Sequence, residues 1–72
     1  MIDIQKLTPE DVGKWVVYRD PDLPNNPPPE IGKIKSWNDT WVFVVYKCND
    51  EWNQFFNYTG CATDPKCLTF VD

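Results

Sequence analysis

Gly32-Lys33-Ile34-Lys35-Ser36-Trp37-Asn38-Asp39-Thr40-Trp41-Val42-Phe43-Val44-Val45-Tyr46-Lys47 is the stretch that decides the fold. Side chains alternate across a strand, so Gly32, Ile34 and Ser36 are expected on one face and Lys33, Lys35 and Trp37 on the other. Asn38-Asp39-Thr40 then reads as a tight turn, because Asn and Asp accept turn backbones, including φ > 0. The run over 41–47 is β-branched and aromatic and gives the strongest strand signal in the chain. Trp41, Phe43 and Val45 point one way, and Val42, Val44 and Tyr46 the other. Both faces are apolar, which predicts a central strand covered on both sides.

Working outward, Asn49-Asp50 supplies another turn, and residues 52–58 are expected as a fourth strand broken by Thr59-Gly60. Asp64-Pro65-Lys66 has a capping residue before a proline, which predicts one short helical turn. Residues 68–71 form a fifth strand. Toward the N-terminus, residues 20–30 hold five prolines and read as a long stiff loop, since proline suits neither a helix interior nor a central strand. Residues 14–19 form the first strand. Before it, Thr8-Pro9-Glu10-Asp11 reads as a capped turn, with Leu7 and Val12 placed as a hydrophobic staple and Gly13 ending it. Residues 1–6 are expected as an N-terminal arm. The order predicts a single all-β domain over 1–72, a five-stranded SH3-like barrel with one or two short helical turns. An OB-type barrel is the main competitor, but it ordinarily needs a longer chain and a helix between its third and fourth strands.

Composition narrows the function classes. Eleven acids against seven bases give a net charge of −4, which argues against a nonspecific nucleic-acid binder. There is no histidine, which removes the usual general base and the commonest zinc ligand. Cys48, Cys61 and Cys67 include no CxxC pair, and free thiols are expected, with no metal or other cofactor. Three cysteines cannot all pair internally, and Met1-Ile2-Asp3-Ile4 lacks the pattern of a signal peptide, so a cytoplasmic protein with reduced thiols is expected. The adjacent acids Glu10-Asp11 and Asp50-Glu51 fall in turns, where capping and solvation account for them. No catalytic set emerges, and a non-enzymatic role is expected.

The words Val12-Gly13-Lys14-Trp15-Val16-Val17-Tyr18 and residues 32–48, with Trp52, Phe55, Tyr58-Thr59-Gly60 and Ala62-Thr63-Asp64-Pro65, resemble small uncharacterised proteins of bacteriophages and prophages. The likeness runs from about Leu7 to Phe70. It implies a phage setting and action inside a bacterial host cell, and it carries over no site residue. Cys61 stands where a small residue such as Ala is expected, and the proline loop departs from the pattern.

Ten aromatics between Trp15 and Tyr58 exceed what one small core can enclose, and surplus exposed aromatics characterise binding surfaces. The expected function is a protein-binding accessory module acting on a host or phage protein. Tyr18, Trp37, Trp41 and Trp52 are the candidate anchors, with Leu23 at the loop tip. Pro21-Asp22-Leu23-Pro24 and Pro24-Asn25-Asn26-Pro27 also match PxxP, although loop stiffening is the better account of these prolines. One alternative is a KOW-like barrel that binds nucleic acid or ribonucleoprotein through Lys33, Lys35 and Lys47 beside stacking aromatics. The other is a small structural protein that assembles as a homo-oligomer.

Overall fold

A computed structural model describes residues 1–20, 22 and 28–71. Five antiparallel strands make one sheet: β1 (Trp15–Tyr18), β2 (Glu30–Trp37), β3 (Val42–Val45), β4 (Cys61–Thr63) and β5 (Leu68–Phe70). Their spatial order is β4-β3-β2-β1-β5, so β3 lies inside the sheet, as its two apolar faces predict. No helix of the described residues is long and apolar enough to cross a membrane.

The β2–β3 hairpin forms where the opening stretch places it. Asn38 closes the turn with its own side chain: Oδ1 accepts from the Thr40 N–H at 2.8 Å and the Trp41 N–H at 2.7 Å. The positive φ values fall instead at Asn49 (53°) and Asp50 (63°), in the next turn. The expected strand faces hold only as far as Ile34. The ladder pairs Ile34 with Val44 and Ser36 with Phe43, which leaves Lys35 as an extra residue in a bulge. The bulge exchanges the faces of Ser36 and Trp37. Trp37 therefore turns toward the core, and Ser36 turns away.

The expected fourth strand over 52–58 is corrected: Trp52–Asn57 is a 3-10 segment, kinked at Gln54, and β4 comes later. Trp52 and Phe55 are three residues apart, the repeat of a 3-10 turn, so both reach the sheet while Phe56 stays exposed. Period-2 alternation would have put Trp52 and Phe55 on opposite faces. Three further 3-10 turns, Ile4–Lys6, Pro9–Asp11 and Pro65–Cys67, exceed the one or two expected. In the second of them, the Asp11 carboxylate accepts the Thr8 N–H at 2.9 Å and pairs with Lys14 at 2.9 Å. Leu7 packs against the main core and Val12 stays exposed, so the side chains do not share one environment as a staple would. Gly13 leaves the turn at φ 88°. In the last, Asp64 caps the Lys66 N–H at 2.9 Å.

The core is aliphatic. Ile2, Val16, Ile34, Val42, Val44 and Leu68 form the buried cluster, ringed by Ile4, Leu7, Tyr18, Trp37 and Tyr46. Ile2 belongs to it, and its N–H donates to the Pro65 carbonyl at 3.0 Å, so the first residues are anchored to the domain. None of the aromatics is fully buried. Tyr18, Trp37 and Tyr46 border the core, while Trp15, Trp41, Phe56 and Phe70 are exposed.

Candidate protein-docking surface

Alternation along β1 sends Val16 and Tyr18 to the core side and Trp15 and Val17 to the other. The ladder fixes their neighbours. Trp15 pairs with Lys33 and Val17 with Ile31 on β2, and Val17 pairs with Thr69 on β5. The Val71 N–H donates to the Trp15 carbonyl at 3.1 Å, which extends the β5 ladder by one residue and sets Val71 beside Trp15. Likewise, the Arg19 N–H donates to Cys67 at 2.8 Å and continues β1 past Val17. The outer face of the β5-β1-β2 half thus carries Ile31, Val17 and Thr69 in one row and Lys33, Trp15 and Val71 in the next, with Arg19 beyond.

Much of this face is open. Ile31 is 53% exposed, Val71 44% and Trp15 38%, and Val17 is half-buried. A groove of about 480 Å³ runs past Lys14, Trp15, Phe70 and Val71. On one side the Trp52–Asn57 segment covers the sheet. Trp52 packs on Trp15 in a tilted pair, with ring centroids 4.7 Å apart and planes at 59°, and Lys33 places its Nζ over Trp15 at 4.8 Å and over Phe55 at 5.4 Å. Val45, which pairs with Lys33, is buried on that side. Trp15 is therefore held by Trp52 and Lys33, and still presents over a third of its surface.

The expected anchors are dispersed. Trp52 supports Trp15 from behind. Trp37 is half-buried against the core, placed there by the Lys35 bulge. Trp41 is 42% exposed but stands apart at the hairpin turn. Tyr18 lies on the opposite side from Trp15, edge-on to Tyr46 at 6.2 Å, in a cleft of about 290 Å³ that Glu30, Thr63 and Asp64 also line. Burial pushes the Tyr46 phenol up to about 12, although its hydrogen bond with Thr63 acts the other way. Burial, then Asp20, raises Tyr18. Leu23 and the PxxP residues in 21–27 lie outside the described residues.

The lysines do not form one cationic surface. Lys33 is committed to aromatic rings, and the Lys35 Nζ donates to the Tyr58 carbonyl at 2.6 Å. Lys47 is exposed on its own beyond β3. Of the cysteines, Cys48 is buried, Cys61 is exposed and Cys67 is half-buried. Burial and Asp20 raise the Cys67 thiol, which favours the protonated, unreactive form.

Trp15, Val17, Ile31 and Val71 were not among the residues singled out in the sequence. Their signal was the alternation of β1 and β2, but only the β1–β5 pairing shows that the row extends to Val71. Comparison with protein-family models, curated proteins and solved structures gives no match to this chain.

Proposed function

We propose that this chain is a non-enzymatic, SH3-like protein-binding module whose docking surface is the outer face of Trp15, Val17, Ile31 and Val71. The observation that carries this reading is that three neighbouring strands leave Ile31, Trp15 and Val71 substantially exposed side by side on one sheet face. Contiguous exposed apolar surface on a small domain marks an interaction site, whereas scattered apolar residues do not. The strand order and the 3-10 turn before β5 support the SH3-like assignment. Trp15 resembles an interface anchor: a large aromatic, pre-positioned by its neighbours, so little side-chain freedom is lost on binding. In keeping with the phage resemblance, the partner is a host or phage protein in the bacterial cytoplasm.

The test is an affinity capture from nuclease-treated bacterial lysate with the whole chain, comparing wild type with Ile31→Asp. Burying a carboxylate in the contact should weaken binding by at least about 2 kcal/mol, roughly thirtyfold. A partner retained by wild type and by Trp41→Ala but lost with Ile31→Asp supports the reading. A partner indifferent to Ile31→Asp overturns it.

Lys33 over Trp15 also favours a second reading, a stacking platform for a single nucleic-acid strand. That reading requires affinity that falls steeply with salt, and it is weakened by the engagement of Lys33 with two rings and of Lys35 with Tyr58.

A further inference from the structure

We infer that the occupant of this face is a segment of a partner protein whose apolar side chains are flanked by carboxylates, an inference that rests on the docking reading above. Among the described residues, the charged side chains on the outward strand positions beside Trp15 and Val17 are the cations Arg19 and Lys33. The alternation that presents Trp15 and Val17 brings Arg19 to one end, and the register puts Lys33 against Trp15. No acidic residue occupies an outward position of β1, β2 or β5 on this side.

Six of the eleven acids are placed elsewhere among the described residues. Glu30 and Asp64 line the Tyr18–Tyr46 cleft on the opposite side. Asp11 is paired with Lys14, and Glu51 accepts the Tyr58 hydroxyl at 3.1 Å. Asp39 and Asp50 sit in the two turns after β2 and β3. Among the described residues the only ion pair is Lys14–Asp11. Arg19 and Lys33 therefore have no carboxylate within ion-pair distance there, in a chain with eleven acids and seven bases. Cations without a carboxylate partner beside an open apolar strip are the complement of an acidic, apolar segment.

The experiment is selection from a library of random peptides displayed on a carrier, panned against the immobilised whole chain, with Ile31→Asp as counter-target. The selected peptides are then titrated as free synthetic peptides at low and high salt. Peptides enriched in Asp and Glu around Leu, Ile, Phe or Trp are expected. Arg19→Glu should weaken their binding about tenfold, and Lys33→Gln should weaken it to a lesser extent with the tryptophan fluorescence of the fold retained. Raising the salt should weaken wild type more than Arg19→Glu. Peptides that depend on Ile31 but are neutral or basic would overturn the acidic assignment and leave the docking face standing. Peptides indifferent to Ile31→Asp, or no enrichment at all, would remove the docking face itself. Because Arg19 is exposed and carries no packing role, its substitution tests the charge without disturbing the fold.

Discussion

Gly32→Ala is the substitution that bears most directly on how β2 and β3 are joined. Gly32 is buried between Ile31 and Lys33, at the point where the end of β3 crosses closest to β2. A Cβ there would meet the Val45 carbonyl oxygen at 2.6 Å, the Val44 Cγ1 at 2.7 Å and the Tyr46 Cδ1 at 3.0 Å. A valine methyl or a tyrosine ring can rotate away, but a backbone carbonyl in a ladder cannot move without stretching the strand pair. Overpacking of this kind costs about 1–3 kcal/mol, and the backbone contact places this case at the upper end. A domain of this length has a total stability of roughly 4–11 kcal/mol, so about a quarter or more is at stake. At about 4–8 °C per kcal/mol, the midpoint of thermal unfolding should fall by roughly 12–24 °C. Urea unfolding followed by tryptophan fluorescence gives the free energy, with exposed Ser36→Ala as a control expected within about 0.5 kcal/mol of wild type. If Gly32→Ala also falls within about 0.5 kcal/mol, the close approach of β2 and β3 is wrong, and with it the register that pairs Lys33 with Val45.

Three further outcomes follow from particular contacts. Tyr46→Phe removes the 2.9 Å hydrogen bond to Thr63 and should cost about 0.5–1.5 kcal/mol at neutral pH by urea unfolding. The Tyr46 phenol is held above its unfolded value, near 10, up to about 12, so the stability it contributes is present below pH 10 and is lost as pH rises through 12; the alkaline decline in stability should be shallower in Tyr46→Phe. Trp52→Ala removes the tilted aromatic pair with Trp15, worth about 0.5–1.5 kcal/mol beyond its buried area, and should loosen Trp15 enough to shift its fluorescence to the red. Trp41→Ala, at an exposed site away from the strip, should leave partner capture unchanged within experimental scatter.

The sequence was most informative where local chemistry acts alone. The β2–β3 hairpin, the positive φ of Gly13 and the Asp64-Pro65 turn each follow from residues within a few positions of one another. It was least informative where distant pairing decides. The bulge at Lys35 depends on how β3 docks, and one unmatched residue was enough to reverse the reading of Trp37. The segment from Trp52 to Asn57 is rich in aromatics, which favour strands in general. Here Trp52 and Phe55 gain more by reaching the back of the sheet together, and the three-residue repeat achieves that. The place of Ile2 in the core is not legible locally, because its N–H meets Pro65 from the far end of the chain. The docking strip is itself a product of register: Ile31, Trp15 and Val71 lie far apart in sequence and become neighbours only through two strand pairs.

A photo-crosslinking side chain placed at position 31 tests the central claim most directly, with the same group at Asn53, an exposed position off the strip, as reference. Irradiation of nuclease-treated bacterial lysate containing the whole chain should give a discrete protein adduct from position 31 and none from position 53. Equal labelling at both positions, or no adduct at position 31 beyond a dimer of the chain itself, would contradict the account.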